Sequence, residues 1–240
     1  MRLLTILLML CVLAGCQTAK VNDTAYLVSG STAELGSIGV ATGRMGLSNA
    51  FSTRAFPILQ SGVRLDVKPA ASDKKMHELY LKKAGLSPIA VHNSDSIAEK
   101  QQFFTVSVLD KAGYVNEINN PQNSEVVKLV SHIKEVSIVT GLALVFSPDN
   151  TALLKEADAF YLVSVQGKKY GMALFKEGKK IGLIDLSREI VLGYTLDKFC
   201  WALSDRNQWY IADMIGQDDK CLGNTEKKIR EKEETNLFKM

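Results

Sequence analysis

The sequence predicts an α+β fold: mixed helices and strands, with an antiparallel β-meander in the C-terminal half. Two observations carry the expectation. Four strand-like runs, residues 160–165, 170–175, 181–186 and 190–195, follow one another closely. Gln166-Gly167-Lys168-Lys169 and Lys176-Glu177-Gly178-Lys179-Lys180 link the first three. These links are short, polar and glycine-containing, so they suit hairpins. A parallel crossover would need a dozen or more residues. Upstream, apolar residues recur at helical spacing in two places, Met76-Leu79-Tyr80 and Val126-Leu129-Val130-Ile133-Val136.

The elements read in order as follows. Residues 16–23 are small and polar and read as a tether, and a folded region of residues 24–240 follows, divisible at 24–157 and 158–240. Thr24 to Ser29 reads as a strand. Residues 30–54 scatter Gly30, Gly36, Gly39, Gly43 and Gly46 among Ser, Thr and Ala, and read as a loop next to the tether. Phe56 to Val67 alternates as a strand bent at Gly62. Ser72 is a good N-cap for a helix that Gly85 stops. Ser87 to His92 reads as a short strand, and Ser96 with Glu99 has capping-box spacing. Phe103 to Leu109 is a strand and Asn119-Asn120-Pro121 a loop. Ser137 to Phe146 is a strand, and Ser147-Pro148-Asp149-Asn150 turns into a helix through Ala157. The tail from Thr225 is charged and of mixed sign, as in an exposed helix or a frayed end. YLVS occurs at residues 26–29 and 161–164, too short a repeat to argue duplication.

The first fifteen residues differ from the rest. Met1-Arg2 is a basic start, and Leu3 to Ala14 is apolar apart from Thr5. That run is too short to span a bilayer, which takes roughly 20 residues, but has the length of a secretory signal. It ends in Leu13-Ala14-Gly15-Cys16, an aliphatic residue, two small ones and cysteine. This resembles the lipobox of bacterial lipoprotein precursors. The resemblance covers about sixteen residues and implies cleavage before Cys16, lipid on its sulfur and acylation of its new amino group. Two or more acyl chains make such an anchor stable. Gln17 in place of an aspartate implies, by the same resemblance, the outer membrane.

Loss of residues 1–15 removes Cys11, and lipid would occupy Cys16. Cys200 and Cys221 then remain, in an oxidising compartment where two thiols usually pair. A bridge closing a loop of about 20 residues would stabilise the fold by roughly 3 kcal/mol. Two buried free thiols are the alternative. No histidine lies near either cysteine in sequence to suggest a metal site.

No catalytic signature emerges. The glycine-rich stretch lacks both the Gly-Lys-Ser/Thr ending of a phosphate loop and a Gly-x-Gly-x-x-Gly pattern. Gly46-Leu47-Ser48-Asn49-Ala50 approaches a nucleophile elbow but has Ala50 where the second glycine belongs. His132 and Glu135 are spaced as one helical turn, with no third ligand at a recognisable distance. Formal net charge is +3, too small to suggest nucleic-acid binding, and nothing calls for a cofactor. The candidate partner-binding residues are Gly36, Gly39 and Gly43 in the glycine-rich stretch, and Trp201, Trp209 and Tyr210 in an aromatic-rich segment beside Cys200. The expected function is a non-catalytic, lipid-anchored envelope protein that binds or scaffolds another outer-membrane or periplasmic component. The alternative is a cell-wall or polysaccharide hydrolase whose carboxylates have no recognisable spacing.

Cys16→Ser should abolish incorporation of a palmitate analogue, because a hydroxyl does not replace the thiolate that takes the lipid. Equal labelling of variant and parent would contradict the lipobox reading.

Overall fold

The computed structural model describes residues 18–21, 24–28, 33–42, 50–71, 74–86, 102–165, 169–227 and 229. The lipobox, Gly43, the Ser87–His92 run and the Ser96/Glu99 pair lie outside them, as do most tail residues past Lys227. The described residues form a mostly antiparallel sheet with four helices, compatible with an α+β class.

The strand at the centre is β7 (Val136–Val145), whose ten residues are all buried. Its run VSIVTGLALV is apolar on both faces, which a strand tolerates only with packing on each side. One edge of β7 pairs with β11 (Ile190–Leu203), from Ser137↔Lys198 to Val145↔Ile190. The other edge is shared. β3 (Ile38–Thr42) pairs with residues 136–138, and β6 (Phe103–Val108) with residues 141–145. The sheet therefore branches near Thr140. β4 (Ala50–Ala55) continues one branch from β3. The other branch continues from β6 through β5 (Val63–Ala70), β8 (Ala159–Val165), β9 (Lys169–Lys176) and β10 (Lys179–Ile184). Beyond β11 lie β2 (Thr24–Leu27) with β1 (Thr18–Val21), and β12 (Trp209–Gly216).

The main core fills one face of this sheet. Leu142 and Leu144 of β7, Val106 of β6, Leu65 of β5, Leu162 of β8 and Leu174 of β9 belong to it. Three helices contribute to it: α2 (Lys111–Ile118) through Tyr114, Val115 and Ile118, α3 (Ser124–Ser131) through Val130, and α4 (Pro148–Glu156) through Leu154. On the opposite face, α1 (Lys74–Lys83) packs Met76 against a smaller cluster of Val21, Tyr26, Phe103, Ala143, Val145 and Leu192. That cluster covers the sheet over β2, β11, β7 and β6. Among the described residues no helix is long and apolar enough to cross a membrane.

Several elements differ from the sequence reading, each for a physical reason. The tether reading of residues 16–23 gives way at Thr18–Val21, which forms β1 against β2 and buries Val21. The glycine-rich loop of residues 30–54 contains β3 and β4. Small residues are needed there because β3 is squeezed between β4 and β7: a Cβ on Gly39 would stand 2.2 Å from the Ser52 carbonyl oxygen. Phe56–Gly62 is a connection, and the strand begins at Val63. α2 is absent from the sequence reading, although Tyr114, Val115 and Ile118 have the spacing of one helix face. It starts because the Asp110 carboxylate accepts the Gly113 N–H at 2.8 Å. Val136 starts β7 rather than ending a helix.

The C-terminal meander is three strands, not four. β8, β9 and β10 pair in sequence order. β11 instead follows a 3-10 turn at Leu186–Arg188 and pairs with β7. Strands from both sides of residue 157 therefore alternate in one sheet, since β8 pairs with β5 and β11 with β7. Cys200, buried in β11, is bonded to Cys221, with S–S 1.99 Å and Cα atoms 5.7 Å apart. The bridge ties the segment after β12 back to the long strand. The start of the charged tail is ordered there: Glu226 and Trp201 exchange two backbone hydrogen bonds of 2.8 Å.

Gly39→Ala should cost about 2 kcal/mol or more of unfolding free energy, because the added methyl meets backbone that cannot rotate away. Chemical denaturation checks this; an unchanged midpoint would place β3 outside the cooperative unit.

Candidate functional site

The face of the sheet that α1 covers runs on past α1 toward β10. Side chains alternate along strands, so the registers define what shares this face. Arg64, Tyr161, Ala173 and Leu183 form one cross-strand row from β5 to β10. Ala159, Phe175 and Lys180 form the next. Val163 stands opposite Gly171 and Val165 opposite Lys169. Both Leu183 and Val165 reach over Gly171, where an added Cβ would lie 2.9 and 3.0 Å from their methyl groups. Tyr161 and Phe175 meet edge to face, with ring centroids 5.3 Å apart. Leu183 is 46% exposed and Val165 37%. The result is an open apolar groove of about 520 Å³, lined by Gly62, Ala159, Tyr161, Val163, Phe175 and Gly178.

The walls are held in place from outside. Gly178 belongs to the β9–β10 turn, where Glu177 and Gly178 both have positive φ (51° and 75°). That is the geometry of a type I′ hairpin, whose twist matches the flanking strands. On the other side, Phe56–Gly62 is fastened at several points. Asn123 accepts the Ile58 N–H and donates to the Ile58 carbonyl, both at 2.8 Å. Glu117 accepts from Gln60 N–H at 2.6 Å and Ser61 N–H at 3.1 Å. The Ser164 hydroxyl accepts the Leu59 N–H at 2.8 Å, and the Tyr170 hydroxyl donates to the Pro57 carbonyl at 2.5 Å. Gly62 can then lie against Tyr161, where a Cβ would come within 3.1 Å of the tyrosine Cβ.

The sequence-derived candidates lie elsewhere. Gly36 sits in a buried turn at φ 79°, its N–H donates to the Val139 carbonyl at 2.8 Å, and its carbonyl accepts the Tyr114 hydroxyl. Gly39 is enclosed within β3. Trp201 is buried, Trp209 is half-buried against the same core, and Tyr210 is 41% exposed. Trp209 and Tyr210 are neighbours on one strand, so they point to opposite faces and form no common platform. His132 caps α3, and its ring Nδ1 donates to the Lys128 carbonyl at 2.7 Å. Glu135 lies beyond the helix with φ 58°, so the two share no helical face.

The groups that resemble acid–base machinery cluster at one place. Burial raises the Glu34 carboxyl above its ordinary range, against the opposing pull of Lys169. Asp185 is held below its ordinary range, first by the Ser187 hydroxyl, which donates to it at 2.6 Å. Carboxyls pushed apart in this way are a common acid–base signature. The cavity between Ala33–Leu35 and Leu186–Ser187 measures only about 10 Å³. That is room for one water and not for a sugar ring. The Tyr114 and Tyr170 hydroxyls nearby are raised by burial and stay protonated as donors to backbone. Among the described residues no three metal-binding side chains converge.

The groove was not read from the sequence, though a signal was present. β8 (AFYLVSV) is apolar on both faces, and a one-sided sheet strand alternates with polar residues. No protein-family model matches the chain, and no curated protein matches it in sequence.

Glu34→Gln should raise the melting temperature at neutral pH and leave it unchanged under acid conditions. A carboxyl whose folded pKa is raised contributes stability below its unfolded pKa and loses it as pH rises through the folded value. An equal shift at both pH values would contradict the burial cost.

Proposed function

We propose that the protein is a lipid-anchored envelope protein that works by binding another outer-membrane or periplasmic component, without turnover of its own. The open groove on β8–β10 carries this reading. Outward-facing Tyr161, Val163, Phe175, Leu183 and Val165 expose apolar surface that a monomer gains nothing by showing to water. Aromatic residues on a rigid sheet are the usual anchors of interfaces. The described residues that line the groove, Gly62, Ala159, Tyr161, Val163, Phe175 and Gly178, offer apolar and aromatic contact, which suits holding a partner. The lipobox resemblance supplies the second part. A lipid at Cys16 would confine the domain to a membrane surface and raise its effective concentration toward partners there. The outer membrane, with the domain facing the periplasm, is the proposed location.

The hydrolase alternative would need a cleft that admits a polysaccharide between two carboxyls. Among the described residues Glu34 and Asp185 interact electrostatically, and the cavity that Glu34 lines measures about 10 Å³.

A photo-reactive amino acid at Tyr161, in cells, should yield a discrete cross-linked adduct. The same group at Lys128, on exposed α3, should not. Identical adducts from both positions, or hydrolysis of purified cell wall by the protein, would contradict the reading.

A further inference from the structure

We propose that β10 accepts an extended acidic segment of another protein as an additional strand of the sheet. The inference rests on the binding role proposed above and specifies its occupant. Among the described residues β10 pairs with β9 alone and ends the long path of the sheet. Lys179, Lys180 and Leu183 along it are exposed. An edge of this kind offers a row of backbone donors and acceptors, and peptide recognition by strand addition uses such rows.

The registers say what the incoming strand meets. The row Arg64–Tyr161–Ala173–Leu183 ends at β10 on an apolar side chain, 46% exposed. The row Ala159–Phe175–Lys180 ends on a cation. A strand laid beside β10 prolongs both rows on the same face. It would place an apolar residue against Leu183 and an acidic one against Lys180. Along the β10 edge the charge is mainly positive: Lys180 stands on the groove face beside Phe175, and Lys176 and Lys179, paired across the hairpin, stand exposed on the other face. The acids present are partly engaged. Asp66 pairs with Lys68 at 2.6 Å, and Asp158 accepts the Glu177 N–H at 2.7 Å. Glu177 itself lies in the turn.

Two other occupants fit less well. A second copy paired through β10 would bring Lys179 and Lys180 of both copies together. Lysines on an edge, with the bulge between Lys180 and Gly182, are the usual means by which sheets avoid self-pairing. An acidic strand turns the same lysines from repulsion to attraction. A lipid surface supplies negative charge but no strand to satisfy the β10 backbone.

The test selects a display library of random linear peptides on the full-length lipidated protein in detergent, with Lys180→Glu and Leu183→Asp as comparison proteins. Both side chains are exposed, and unchanged melting temperatures would show that the variants fold. Enriched peptides should carry an apolar and an acidic residue two positions apart, so that both fall on one face of the added strand. They should bind roughly ten-fold more weakly to Lys180→Glu, and lose binding when alternate peptide amides are N-methylated. No enrichment, enrichment of basic peptides, or binding indifferent to both substitutions and to N-methylation would overturn the proposal. Binding to phosphatidylglycerol vesicles without peptide enrichment would assign the face to lipid. A dimer lost on Leu183→Asp would assign it to a second copy. If the Tyr161 cross-link persists while peptides fail, only the added strand is refuted. If both fail, so does the binding role.

Discussion

Every described strand of the sheet is linked, directly or through its neighbours, to the pairing of β7 with β11. β7 is buried along its whole length, so both its faces need cover and both its edges need partners. β11 fills one edge, while β3 and β6 divide the other. The division obliges the sheet to branch. Where it branches, polar groups become buried and must find partners. Asp197 of β11, 6% exposed, accepts from the Thr140 hydroxyl at 3.0 Å and from the Lys111 ammonium at 2.6 Å. Lys111 begins α2, so this contact also fixes the helix that carries Tyr114 under the Gly36 turn. Removing Lys111 would leave the buried Asp197 carboxylate without its cation, whereas Lys111 itself is 43% exposed and keeps its hydration.

From that axis the open groove follows by geometry. β6 stands on β7, β5 on β6, and β8, β9 and β10 extend outward. α1 is ten residues long and covers the strands nearest the axis. The outer strands keep the main core on one face. On the other they show Tyr161, Phe175 and Leu183, with the charged side chains of Arg64, Asp66 and Lys68 as a stripe between the two apolar regions. The walls are rigid because the Phe56–Gly62 connection is bonded to α2, to the turn before α3, to β8 and to β9. A preformed surface of this kind loses little conformational entropy on binding.

Much of the fold was legible in the sequence, and the failures have specific causes. Val136–Val145, Phe103–Val108 and the β9–β10 hairpin could be read because composition and turn chemistry agree locally. Pairing of Cys200 with Cys221 could be expected because few cysteines remained after Cys11 and Cys16 were set aside. The strands β3 and β4 were hidden, since Gly36 and Gly39 look like loop residues. They are small because neighbouring backbone and side chains press on them, a tertiary fact that leaves no local trace. The path of β11 was hidden for a similar reason: nothing in Ile190–Thr195 says which strand it will join. The groove was missed because both faces of β8 are apolar and the sequence does not show which face α1 leaves bare.

Amide hydrogen exchange on the oxidised protein tests the central claim most directly, because it ranks segments by the free energy needed to open them. The account predicts the greatest protection in β7 and in the part of β11 that pairs with it, and fast exchange for the outward amides of β10. Protection of β10 equal to that of β7 would contradict an open edge carried on a rigid β7–β11 axis.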